Sequence, residues 1–476
     1  MTLSYPWLLL LIMITTFSIA HPQAEFEIEK APEQEQDSLN QSKPLPKIES
    51  KTEPEKEWNF IIYMIGNGLY NIALENLKEM LVIGSTPYCN ILVQIDHAGQ
   101  SSATRFFIEK DKAILQPLED ESSGLLRGTP ASLFFFIKWA TKKYPSKHQA
   151  LVLWNHASGI KHPNIWEKIY KENRDQLFQI NPETGLLELN RTGVIKHNSE
   201  IAPDHEESSQ FRNWGSSFNQ PSEVFINEQE LHQCLLGAKD LLRGKNVDLI
   251  IFDACHLAML EMSSICRESA QFMIASQEII PGSGCNFTKI FEPFTQRTMS
   301  SRMLARHIVQ TFEDEYASSF ADFSLSALNL QDSDIVENLI SHLAELLLAR
   351  LKQDCGFYYF INKIRESSSL TIEFFDKDYI DLYHFLNSFL SEYQKQIESS
   401  NDQTFVDFKN TITSILRLLD QRIIAKTNGL NLKKARGLSI YFPKRSIHSS
   451  YLKTSGLKGN FWTEFLSMYI RTGREL

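Results

Sequence analysis

From residue 58 onward the chain carries short apolar runs set between polar and turn-forming residues. The runs at 60–64, 91–95, 150–154, 249–252 and 272–276 are short, continuous and often β-branched, the pattern of strands buried on both faces of a sheet. Between them, 69–83, 130–144, 228–242 and 257–267 read as helices. Strand and helix patterns in alternation imply an α/β fold with a mostly parallel sheet and crossover helices. Residues 105–108 add an edge strand. Past 330 the pattern is mainly helical: Val336, Leu339, Ile340, Leu343, Leu346 and Leu347 form one core-facing stripe within 332–351, and one strand is expected at 438–442. The expected division is a core domain over 58–330 and a largely helical C-terminal subdomain over 331–476, packed on it.

Two of these strands end in reactive side chains. The run 247–255 reads V-D-L-I-I-F-D-A-C, so its strand ends near Asp253 and delivers Cys255; the run 150–154 ends in Asn155, His156, Ala157, Ser158 and Gly159. The carboxyl ends of parallel strands are where open α/β sheets place ligand crevices. A thiolate attacks carbonyl carbon far better than a thiol, and a neighbouring imidazole can take the proton and later return it to a leaving group. Taken singly, a buried cysteine and a loop histidine are more often structural. Their placement at two strand ends favours a nucleophile and its base. A helix starting at Leu257 would aim its positive amino end at the thiol and lower its pKa.

The motifs at these ends resemble the clostripain family of cysteine peptidases, within the caspase-like clan. Trp154-Asn155-His156-Ala157-Ser158-Gly159 is similar to the family's W-[ND]-H-G-S-G, and Phe252-Asp253-Ala254-Cys255 with Met259-Leu260-Glu261 to F-D-A-C-x-x-x-M-L-E. Ala275-Ser276-Gln277-Glu278 and Pro281-Gly282-x-Gly284 resemble its A-S-Q-E-x-x-P-G-x-G; likeness extends to 58–94 and to the Gly437-Leu438-Ser439-Ile440-Tyr441-Phe442-Pro443 stretch. The resemblance implies a caspase-like three-layer sandwich and an endopeptidase with a His156/Cys255 dyad. It implies an oxyanion hole from the N–H groups of Cys255 and Ala157. Asp253 then recognises Arg or Lys before the scissile bond, with Ser276 and Glu278 at the substrate crevice. Glu278 could alternatively pair with a structural cation, and Asp253 could cap the following helix. Some family members use calcium, and some cut themselves after a basic residue between the dyad members.

The chain departs from the pattern at four places. Ala157 replaces glycine, His256 follows the nucleophile where an apolar residue is usual, Cys285 replaces tryptophan, and Gly66-Asn67-Gly68-Leu69 stands for Asn-Asn-Leu. An alanine at 157 keeps its N–H but is strained if that turn needs a positive φ. These departures keep two rivals open: a catalytically inactive binding protein of the same fold, and a transpeptidase using the same acyl-enzyme.

Composition narrows the partners. A formal net charge of -10 and a pI near 5.8 argue against nucleic acid. The basic positions Lys433, Lys434, Arg436, Lys444 and Arg445 suit a solvated face. Residues 7–20 are mostly apolar and close on Ser18-Ile19-Ala20, the pattern of a secretory signal peptide over 1–20, although no Lys or Arg precedes the run. The following stretch 21–57, rich in Glu, Lys, Pro, Gln and Ser, reads as a disordered linker. Export to the cell envelope or medium is therefore expected, without stable membrane association. Residues 160–223 are polar and longer than a crossover needs. They carry Lys161, Lys168, Lys171, Arg174, Arg191, Lys196 and Arg212, so the interval is either a self-processing loop or an ordinary insertion. Of the six cysteines, mainly free thiols are expected, with at most one or two bridges. No metal-binding spacing such as H-E-x-x-H occurs, and no cofactor is implied beyond the family's calcium.

Overall fold

A computed structural model describes residues 28–29, 53–66, 69–96, 103–118, 128–161, 177–191, 226–282, 284–396, 403–454 and 461–476. The expected signal peptide falls outside them, as does the linker apart from 28–29 and 53–57.

Nine strands form one mixed sheet: β1 Lys56–Ile65, β2 Cys89–Asp96, β3 Thr104–Glu109, β4 Lys112–Gln116, β5 Ser146–Trp154, β6 Val247–Asp253, β7 Ala270–Ala275, β8 Ser324–Asn329 and β9 Ile423–Asn428. Their spatial order is β4-β3-β2-β1-β5-β6-β7-β8-β9, and the two-residue piece Ile28–Glu29 adds to the outer edge of β4. The five central strands, β2 to β7 in that order, are parallel; the outer pairs at both ends are antiparallel.

Both faces of the parallel strands are buried, which is why their sequences are continuous apolar runs. Phe60, Ile62, Val152, Leu249 and Ile251 face one core; Ile61, Tyr63, Leu153, Ile250 and Phe252 face the other. Helices α1 Tyr70–Ile83, α5 Phe287–Phe291 and α6 Ser301–Tyr316 cover the first face. Helices α2 Pro130–Lys143, α3 Glu228–Leu241, α4 Leu260–Cys266 and α7 Ser333–Gln353 cover the second. The result is a three-layer α/β/α sandwich. Local signals fix the helix starts: Thr129 caps α2 with Pro130 next to it, and Asn227 and Glu230 close a reciprocal capping box on α3.

Past 330 the chain is mainly helical, with α8 Phe357–Glu366, α9 Leu382–Gln396, α10 Gln403–Arg422, α11 Ser449–Thr454 and α12 Phe461–Glu475. It is also woven into the sheet. It supplies β9, and α7 packs against α10 and α12 inside the same core cluster that holds Leu153 and Phe252. A small antiparallel pair, Tyr379–Asp381 with Ser439–Tyr441, reaches back to the end of β6 through a bridge between Met259 and Ser439.

Candidate active site

Strand register sets the two reactive residues beyond the ends of neighbouring strands. In the β5/β6 ladder Leu153 lies opposite Phe252 and Trp154 opposite Asp253, and the Asn155 N–H donates to the Asp253 carbonyl at 3.3 Å. His156 follows the end of β5 by two residues and Cys255 follows the end of β6 by two. His156 lines a small cavity of about 20 Å3 with Ala157, Ile226, Glu228, Phe252 and Leu257.

The loop after His156 is held from a distance. Gly159 has φ +63°, and a Cβ there would come within 2.5 Å of the Tyr379 ring. The Tyr379 hydroxyl donates to the Ser158 carbonyl at 2.9 Å and accepts from the Ile160 N–H at 2.8 Å. Lys161 then ion-pairs with Asp376 at 2.9 Å and Asp378 at 2.5 Å. Burial opposes its charge, but the two carboxylates outweigh that and hold its pKa above the usual lysine value. Tyr379 was not singled out in the sequence. It lies more than two hundred residues from the loop it holds, and no spacing could reveal the contact.

Ala157 does not have a positive φ; the left-handed residues here are Gly159 and His256, the latter at φ +58°. A non-glycine residue in this region costs about 1 kcal/mol or more, and His256 is held there by its ring. Its Nδ1 is 3.0 Å from the Gln277 carbonyl, and the imidazole stacks on Tyr379. The sharp turn this creates follows Cys255 directly. Helix α4 begins only at Leu260, not at Leu257 as expected, because the backbone before it is engaged elsewhere: the Met259 N–H donates back to the Leu257 carbonyl at 2.8 Å, the Ala258 carbonyl accepts from the Ser439 N–H at 2.8 Å and the Ala258 N–H donates to the Ser276 carbonyl. The helix dipole therefore does not reach the thiol, since it fades within the first turn.

Cys255 itself is 8 % exposed and packs with Leu177, Leu189 and Ile279, flanked by Phe178 and Phe375. The Ile280 N–H donates to its sulfur at 3.4 Å. Leu177 and Leu189 belong to a hairpin, Phe178–Ile180 with Leu187–Leu189, from the interval between the dyad residues. Cys89, Cys234, Cys266, Cys285 and Cys355 carry free thiols, and burial pushes that of Cys234 up to about 12 and those of Cys89, Cys266 and Cys285 upward as well.

The acidic residues sit differently from the sequence expectation. Asp253 is not on an open crevice: its carboxylate is buried, accepts the Cys285 N–H at 3.0 Å, and lies where any side chain on Gly284 would collide with it. Burial pushes its pKa up to about 7, and the nearby Glu79 is raised to about 7 by the same cause. Ser276 is fully buried too, its hydroxyl donating to the Glu278 carbonyl and accepting from the Glu278 N–H, so it shapes the turn rather than a surface. Glu278 is buried and pairs with a cation from the same chain: Arg191 Nη2 lies 2.8 Å from Glu278 and 3.2 Å from Asp322. Gln277, whose role the motif left unassigned, ties the site to the C-terminal part. It donates to Asp381 at 3.1 Å and accepts from the Gly437 N–H at 2.9 Å.

Comparison with known proteins gives the family and the fold. A model of the clostripain family matches residues 62–174 and 192–464. The chain belongs to the clostripain family. It is thereby a cysteine peptidase by descent, with the α/β caspase-like fold of that family. Among solved structures, a secreted cysteine protease of Bacteroides thetaiotaomicron called iotapain is similar at 12% identity and TM-score 0.53, over 84% of this chain and 97% of that one. An inactive zymogen of a Parabacteroides distasonis protease is similar at 17% identity and TM-score 0.50, over 88% and 99%. These likenesses concern the fold. No curated protein matches the chain in sequence.

Proposed function

We propose that this clostripain-family protein is an exported endopeptidase in which Cys255 is the nucleophile and His156 the general base, cleaving after Arg or Lys. The observation that supports the reading is the β5/β6 register, in which Trp154 pairs with Asp253, so that His156 and Cys255 each follow the end of one of two adjacent parallel strands by two residues. His156 takes the thiol proton, Cys255 Sγ attacks the scissile carbonyl, and the N–H groups of Cys255 and Ala157 receive the oxyanion. His156 then returns the proton to the leaving amine, and water repeats the cycle on the thioester. The basic preference is supported by the carboxylates at the neighbouring strand ends. Asp253 would meet a substrate cation only if Gly284 and Cys285 move off it; Glu278 would do so when Arg191 leaves.

Self-processing belongs to the same proposal. Of the seven basic residues in the interval 160–223, Lys161 and Arg191 have their charges committed to carboxylates. Lys168, Lys171, Arg174, Lys196 and Arg212 lie outside the described residues. Among the described residues no group of three or more His, Cys, Asp or Glu side chains converges as a metal site. Among them, too, no helix is long and apolar enough to cross a membrane. Export is supported by the apolar segment at 7–20 and by the secreted relative.

The test is turnover of peptides carrying Arg, Lys, Asp or Asn before the scissile bond, with and without calcium. Cys255→Ala and His156→Ala should each reduce kcat/KM for the Arg peptide by about a thousandfold or more while leaving the melting temperature nearly unchanged. Activity surviving either change would sink the mechanism, and an inactive wild type that still binds peptide would favour the binding-protein alternative.

A further inference from the structure

A groove of about 870 Å3 lies at the amino ends of β5, β6 and β7, the end of the sheet opposite to His156 and Cys255. Asp248, on its wall, starts the strand that Cys255 follows, which puts about 20 Å of extended chain between the two ends. The wall is basic in a chain of net charge -10: Lys147, Arg243, Lys245 and Arg267 line it, against Glu55 and Asp248. Lys147 is paired with Glu57 and Arg267 with Glu337. Arg243 and Lys245 have no carboxylate partner among the described residues. Asp248 does not serve them, because its oxygens are taken: one lies 2.7 Å from His148 Nδ1 and accepts from the Ser301 hydroxyl at 2.9 Å, and the other accepts the Gln149 N–H at 2.9 Å. The turn from α3 to β6 holds both cations on this wall, with Arg243 at φ +58° and Gly244 at φ +83° between them.

Gln149 adds a second requirement. It lines the groove while only 5% exposed, and its Nε2 donates to the Ser146 hydroxyl at 2.7 Å. That hydroxyl donates to the His148 carbonyl at 2.9 Å, so it can only accept from Gln149, which fixes the amide one way round. Gln149 Oε1 then accepts no hydrogen bond among the described residues. A buried amide oxygen without a donor is unfavourable, and the groove is the side from which a donor can reach it. Two cations and one acceptor on the same wall select a ligand that carries carboxylates and also donates an N–H. An inorganic anion supplies acceptors alone, whereas an acidic peptide supplies both.

We propose that the groove at the amino ends of β5, β6 and β7 is a binding site for an acidic peptide segment, with its side-chain carboxylates on Arg243 and Lys245 and a peptide N–H on Gln149 Oε1. The guanidinium of Arg243 can take a carboxylate through two parallel hydrogen bonds, and the ammonium of Lys245 takes one as a point charge. The site holds an acidic stretch of a protein away from the strand ends that carry Cys255, and it stands whether or not the peptidase reading does.

The test is fluorescence anisotropy of a labelled peptide of Glu and Ala, which has no Arg or Lys to be cleaved after, titrated with the full-length chain. The wild type should bind it saturably, with a Kd that rises as salt is added. Two altered peptides separate the two requirements: Gln in place of Glu removes the carboxylates, and backbone N-methylation keeps them but removes the N–H donors. The first should bind at least about tenfold more weakly, the second about fivefold, as loss of one hydrogen bond implies. On the protein side, Arg243→Asn with Lys245→Gln changes exposed positions only and should raise Kd for the Glu peptide roughly tenfold, as loss of two exposed charge pairs implies. Gln149→Met, which keeps the length and removes the acceptor, should raise it about fivefold and bind the N-methylated peptide as the wild type does. No saturable binding to the wild type, or an unchanged Kd in the double variant, would overturn the site. Equal binding of the Glu peptide and its N-methylated form would make the groove an unselective anion patch and overturn the assignment to a peptide, and this comparison needs no variant to fold.

Discussion

Tyr379 positions the histidine without touching the reacting atoms. Its hydroxyl fixes Ser158 and Ile160, two and four residues past His156, and its ring fills the space that Gly159 leaves open. Tyr379→Phe should lower kcat by about tenfold with KM little changed and broaden the pH–rate profile, since the loop keeps its packing but loses two hydrogen bonds. Gly159→Ala should be worse, because the added carbon meets a ring and the residue must adopt φ +63°. Ala157→Gly, by contrast, should be neutral or slightly harmful, as Ala157 has no positive φ to relieve. Asp253 gives a pH signature. With its folded pKa near 7 against 3.8 in the unfolded chain, the fold binds the extra proton between those values. Stability from this group is therefore full below pH 4 and is lost as pH rises through 7. Asp253→Asn is neutral throughout, so its stability relative to wild type should improve by about 2 kcal/mol between pH 5 and pH 8, read by denaturant melts. A pH-independent difference would mean that Asp253 is ionised in the fold. The same variant tests specificity: a selective loss on Arg and Lys peptides assigns recognition to Asp253, and an equal loss on all substrates leaves it to the turn at Cys285.

Elements that declare themselves by period were legible in the sequence, and those defined by pairing were not. β6 ends at Asp253 as the run predicts, and α3 covers Glu228–Leu241 where the pattern over 228–242 places a helix, its start closed by Asn227 and Glu230. Asn227→Ala should cost about 1 kcal/mol, measured by thermal or denaturant melts, because it opens the capping box. β4, β8 and β9 escaped notice: Ser324–Asn329, S-L-S-A-L-N, has no β-branched or aromatic residue and becomes a strand between β7 and β9. The helix expected at Leu257 failed for a similar reason. Ala258 and Met259 suit a helix locally, but the distant Ser439 takes their backbone into a bridge. At the site, His156 and Cys255 stood out because each follows the end of a strong strand. The tyrosine that holds the histidine loop, and the arginine on Glu278, depend on contacts that no local pattern encodes.

At the scale of the whole molecule, the catalytic strand ends are completed by chain from beyond residue 330. Tyr379, Asp381, Gly437 and Ser439 all bond to the turns after β5, β6 and β7, and β9 closes the sheet. A chain ending at residue 330 should therefore fail to fold cooperatively, giving no sigmoidal melt and rapid proteolysis. The central claim is that Cys255, activated by His156, is the attacking thiol, and it is tested most directly by a peptidyl chloromethyl ketone ending in Arg with the adduct located by mass. The account predicts one adduct, on Cys255, absent in Cys255→Ala and formed at least about a hundredfold more slowly in His156→Ala. An adduct on the exposed Cys355 instead, or labelling of Cys255 at an unchanged rate in His156→Ala, would contradict it.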